Sequence, residues 1–71
     1  MERMSNPELS EREFEVLGLM AQGMNNLSIA NTLSIGESTV KTHVNRIFSK
    51  LGVSDRTQAV IVAAKRGLVS L

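Results

Sequence analysis

From Ser38 to Ser54 the chain reads STVKTHVNRIFSKLGVS, with three cations (Lys41, Arg46 and Lys50), a histidine (His43) and no carboxylate. Hydroxyls at Ser38, Thr39, Thr42 and Ser49 and the amide of Asn45 stand among them. These groups hold anions and exchange hydrogen bonds. They do not assemble a nucleophile with its base. All seven acids of the chain lie outside the stretch. A surface that excludes carboxylates is one that meets negative charge, because two like charges at contact distance repel strongly.

Spacing turns this inventory into a surface. Val40, Val44, Ile47, Phe48 and Leu51 recur at helical spacing, the apolar stripe of an amphipathic helix. At about 100° per residue, Ser38, Thr42, Asn45, Arg46 and Ser49 fall opposite that stripe. Lys41 flanks them on one side, and Thr39, His43 and Lys50 on the other. The outward surface thus offers hydroxyls, an amide and cations. Cations neutralise DNA phosphates and release counterions, while Lys, Asn and Thr address base edges in the major groove.

The elements that must position this helix are marked in the sequence. Residues 1–8 show no periodicity and are expected to form a loose N-terminal arm, leaving 9–71 as the domain. Ser10-x-x-Glu13 is a capping box for a first helix, with Leu9 and Phe14 placed as a hydrophobic staple. Glu11, Glu13 and Glu15 suit the positive end of that helix's dipole. Val16, Leu17, Met20 and Met24 are its core residues, and Gly23 ends it. Asn25 caps a short second helix whose inner face is Ile29, Ala30 and Leu33. Ser34-Ile35-Gly36 is the break before the third helix, expected from Glu37 to about Leu51 with Gly52 as its stop. Gly36 is a weaker cap than Ser or Thr. Asp55-x-x-Gln58 opens a fourth helix to about Arg66, with Gly67 past its end. The pattern is all-α, and a short helix, a tight break and a longer helix with a polar face make a helix-turn-helix.

Charge is divided along the chain. Residues 1–37 carry six acids against Arg3 and Arg12, a net −4; residues 38–71 carry six bases against Asp55, a net +5. The overall +1 conceals a basic half suited to a polyanion.

At 71 residues there is room for one small domain. A chain this size buries only about 60% of its extended surface, so partner contacts help to stabilise it. It has no cysteine, which removes disulfides, thiol nucleophiles and Cys-based zinc sites. One histidine does not make a metal centre. No apolar run reaches the roughly 18 residues of a membrane span, and the acidic N-terminus lacks a signal-peptide shape. The expectation is a cytoplasmic, non-enzymatic binding protein, with no metal, cofactor or small-molecule ligand.

Several separated motifs, in register over residues 9 to 64, closely resemble the LuxR-type (GerE, NarL/FixJ) helix-turn-helix domain. They are Leu-Ser-x-Arg-Glu at 9–13, Val-Leu at 16–17, Ile-Ala at 29–30, Ser-Thr-Val-Lys-Thr-His at 38–43, Lys-Leu-Gly-Val at 50–53 and Arg-Thr-Gln-Ala at 56–59. The resemblance implies a wingless four-helix bundle that regulates transcription by binding inverted half-sites in double-stranded DNA as a homodimer, its fourth helix serving dimerisation. Lys41, Thr42 and Asn45 take the positions of base contacts, and Asn45 is suited to adenine N6/N7. Ser38, Thr39, His43, Arg46, Ser49, Lys50 and Asn26 take those of phosphate contacts. RNA polymerase is a further candidate partner.

Some positions depart from the family pattern. Leu27 stands where a basic residue is usual, Ser28 where a capping glutamate is usual, and Gly36 where Ser or Thr is usual. Arg56 is expected to pair with a helix-one glutamate such as Glu13. Ile61, Ala64 and Leu68 form a second apolar strip on the fourth helix, the expected dimer interface. The alternative function is a protein-interaction module on the same scaffold, engaging RNA polymerase or another regulator. Met1 and the short arm fit a stand-alone regulator, the alternative being an effector domain of a larger protein.

Overall fold

The computed structural model describes residues 9–70; the expected N-terminal arm and Leu71 lie outside the described residues. Four helices follow one another: α1 (Glu11–Ala21), α2 (Asn26–Leu33), α3 (Glu37–Leu51) and α4 (Arg56–Lys65). There is no strand among the described residues.

Local chemistry sets the helix ends. Glu13 N–H donates to Ser10 Oγ at 3.1 Å and Ser10 N–H donates to Glu13 Oε1 at 3.0 Å, closing the capping box of α1. Asn25 Oδ1 accepts the Ser28 N–H at 2.9 Å, and Asp55 Oδ1 accepts the Gln58 N–H at 2.8 Å. The second half of the α4 cap is shifted by one residue, because Gln58 Oε1 accepts from Ser54 N–H at 3.4 Å. α3 alone of the four begins without a side-chain cap, at Gly36. α3 stops at Gly52, whose φ of 70° is left-handed and favours glycine. Ser34 reverses the chain after α2 with φ 59°, a conformation uncommon outside glycine, at the start of the three-residue connection to α3.

α3 is the spine. α1, α2 and α4 all pack on it, and α1 also touches α2 and α4. Val40, Val44, Ile47 and Leu51 of α3 are buried against Val16, Leu17 and Met20 of α1, Ile29 and Ala30 of α2, and Ala59 and Ala63 of α4. Met24, Leu33, Phe48 and Val60 are half-buried around this cluster. Most of the stability of such short helices comes from this shared burial rather than from helix propensity. Among the described residues no helix is long and apolar enough to cross a membrane.

The buried cluster contains one charged side chain, Glu13, only 2% exposed. It falls on the same face of α1 as Val16, Leu17 and Met20. An ionised carboxylate there requires a cation, and Lys50 supplies it, with Nζ 2.7 Å from Glu13 Oε1. Burial raises the Glu13 carboxyl, but the Lys50 ammonium, the Ser10 N–H and the Arg46 charge together hold it below its ordinary value. This corrects the expected Arg56–Glu13 pair. Arg56 instead donates from Nη2 to the Met24 carbonyl at 2.7 Å and from Nη1 to Asn26 Oδ1 at 3.1 Å.

Candidate nucleic-acid interface

Because α1, α2 and α4 cover one side of α3, its opposite side is left to solvent. Lys41, Thr42 and Asn45 are exposed there, with Ser38, Thr39, Arg46 and Ser49 around them. No carboxylate follows Glu37 on α3. Thr42 is oriented rather than loose. Its hydroxyl donates to the Ser38 carbonyl at 3.1 Å, so its oxygen lone pairs remain to accept from a base amino group.

The flank carrying Thr39, His43 and Lys50 is the less open one. His43 is half-buried, and its Nδ1 is buried without a hydrogen-bond partner among the described residues. Lys50, expected as a phosphate contact, is the ion-pair partner of Glu13, with its side chain still 32% exposed. The reason is angular. Lys50 sits nearer the apolar stripe than Arg46 does, on the edge of α3 that meets α1.

Asn26, the candidate phosphate contact on α2, is half-buried, with its carbonyl oxygen taken by Arg56. Beside it Leu27 is 57% exposed. The expected dimer strip divides. Ile61 is 46% exposed and Ala64 half-buried, but Leu68 packs back onto the core. Gly67, with φ 75°, turns the chain so that Leu68 N–H donates to the Ala63 carbonyl at 2.8 Å. A helix closed this way folds its following apolar residue inward, so Leu68 is half-buried, packed against the core.

Sequence reasoning missed two long-range partnerships, Lys50 with Glu13 and Arg56 with Asn26. A signal for the first existed: Glu13 shares a helix face with three core residues, and a carboxylate there calls for a cation. Which cation answers was not legible. Among the described residues no three His, Asp or Glu side chains converge as metal ligands.

A family model described as "Bacterial regulatory proteins, luxR family" matches residues 7–63. The chain is 50% identical over 68 residues to an uncharacterized transcriptional regulatory protein, YxjL of Bacillus subtilis (strain 168), covering 96% of this chain and 31% of that protein. The crystal structure of ChrA, a response regulator in a heme-sensing two-component system, superposes with a TM-score of 0.84 at 45% identity, covering 92% of this chain and 32% of that one. The structure of the transcription factor GerE superposes with a TM-score of 0.81 at 35% identity, covering 87% of this chain and 92% of that one. The chain spans about a third of the length of the curated relatives it matches.

Proposed function

This chain belongs to the luxR family of bacterial regulatory proteins, a family of DNA-binding transcriptional regulators, and we propose that it binds inverted half-sites in duplex DNA as a homodimer. α3 lies in the major groove, with Lys41, Thr42 and Asn45 on base edges. Ser38, Thr39, His43, Arg46, Ser49 and Asn26 meet the phosphates, and Lys50 adds positive charge at the flank while holding Glu13. Ile61 and Ala64 supply the apolar contact between two copies. The protein acts in the cytoplasm, where bacterial DNA is reached.

One observation carries this reading above the others: the solvent face of α3 from Ser38 to Ser49 presents hydrogen-bonding groups and cations without a carboxylate. Phosphate binding by those cations releases counterions, so the logarithm of affinity falls with the logarithm of salt at a slope of about 0.9 per phosphate neutralised. Salt titration of binding to a duplex chosen by random-oligonucleotide selection is the test, and a steep slope is expected.

Exposed Leu27 favours a second reading, an interaction module that engages RNA polymerase or another regulator. That reading predicts no DNA complex at moderate salt, an outcome that would sink the first.

A further inference from the structure

Arg56 opens α4, yet both of its side-chain hydrogen bonds leave that helix for Met24 and Asn26. α2 and α4 have no pair of Cα atoms within 8 Å of each other. The guanidinium spans the gap between them, with Asn26 held 30 positions away in sequence. It is half-buried there.

A guanidinium is planar and carries only donors. Of the two polar atoms of the Asn26 amide, only Oδ1 can face it. Nδ2, with its two N–H donors, must then lie on the far side of the carboxamide, turned away from Arg56. Among the described residues Nδ2 has no acceptor. The start of α2, Asn25-Asn26-Leu27-Ser28, has no cation of its own. In a helix-turn-helix the first helix crosses the DNA backbone, and a neutral amide donor aimed outward from its first residue is the chemistry of a phosphate-oxygen contact.

We propose that Arg56 is a positioning residue for DNA binding: it fixes the Asn26 amide in one of its two flips so that Nδ2 donates to a backbone phosphate. The inference rests on the DNA-binding reading above and adds to it a residue that lies outside the helix-turn-helix. Without the guanidinium the amide samples both flips and other rotamers, and ordering it on DNA costs conformational entropy. Lysine at 56 keeps the charge but cannot grip an amide oxygen and a carbonyl with one planar fork.

The test follows the side-chain amide signals of Asn26 in the ¹⁵N-labelled chain, free and bound to a selected duplex. In the wild type these signals are expected to shift on binding, and in Arg56→Lys that shift is expected to be smaller. Asn26→Ala should bind about tenfold more weakly, the worth of one hydrogen bond to a charged oxygen, with an unchanged salt slope because a neutral donor releases no counterion. Arg56→Lys should weaken binding by a similar factor, and the double variant by no more than either alone. Unmoved Asn26 signals in a formed wild-type complex, wild-type affinity in Asn26→Ala, or additive losses would each overturn the proposal. Should Arg56→Lys not fold, unmoved wild-type signals or wild-type affinity in Asn26→Ala would still overturn the proposal. Absence of any complex would overturn the DNA-binding reading along with it, whereas a complex with unmoved signals overturns only the positioning role.

Discussion

Lys50 Nζ lies 2.7 Å from Glu13 Oε1, the same oxygen that accepts the Ser10 backbone N–H at 3.0 Å. One carboxylate thereby closes the capping box of α1 and holds the last turn of α3. The entry of the chain into α1 and the end of α3 are tied through a single buried atom.

Glu13→Gln is accordingly expected to destabilise the domain. It keeps the shape but replaces the ion pair with Lys50 by a bond from the ammonium to an uncharged amide oxygen, a loss of about 1–3 kcal/mol. Urea unfolding measures it. A change under 0.5 kcal/mol would mean that Lys50 and Glu13 are not coupled in solution.

The same pair makes stability depend on acid. The folded Glu13 carboxyl is depressed below its ordinary 4.5, so the folded state binds that proton less readily than the unfolded chain. Its contribution is present above the ordinary value and is lost as pH falls through the lower folded value. The wild type should therefore lose more stability between neutral pH and about pH 3 than Glu13→Gln does. Parallel melting curves across that range check it, and identical slopes would contradict the depressed carboxyl.

Gly36→Ser should stabilise α3. Gly36 has an extended backbone, φ −75° and ψ 153°, that serine adopts freely, and α3 lacks a side-chain cap. An added Cβ would meet nothing closer than Thr39 Oγ1 at 3.9 Å. The gain is a few tenths of a kcal/mol, read as a higher melting temperature. A lower one would show that the hydroxyl does not reach the first-turn N–H groups.

Asn45→Ala separates recognition from folding. Asn45 is exposed, and such substitutions change stability by less than about 0.5 kcal/mol. Discrimination at one base position should weaken by about 1–3 kcal/mol. Site selection with the variant reads this directly, and an unaltered preference would remove Asn45 from the base contacts.

Ile61→Asp and Leu68→Ala divide the apolar residues that follow one another on and after α4. Ile61 is exposed and Leu68 packs on the core. Ile61→Asp should leave the melting temperature near that of the wild type while abolishing self-association in sedimentation. Leu68→Ala should lower stability by about 1–2 kcal/mol, less than a fully buried leucine because the site is only half-buried. A dimer that survives Ile61→Asp would move the interface elsewhere.

The helices were legible because their signals are local. Ser10 with Glu13, Asn25 with Ser28 and Asp55 with Gln58 all act across three residues. Gly52 and Gly67 mark ends through their own backbone angles. The polar face of α3 follows from helical periodicity alone, since a stripe of five apolar residues leaves only one side for everything else.

What the sequence by itself determined, then, was four helices, their caps, and a basic, acid-free face. Tertiary structure alone decided which cation answers Glu13, where the fork of Arg56 closes, and that Leu68 turns inward. Glu13 and Lys50 are 37 positions apart, and Arg56 lies 32 from Met24. No periodicity spans such a distance. Lys50, Arg46 and Arg56 all carry the charge a buried carboxylate needs, and only the packing of α1 across α3 brings one of them within 2.7 Å.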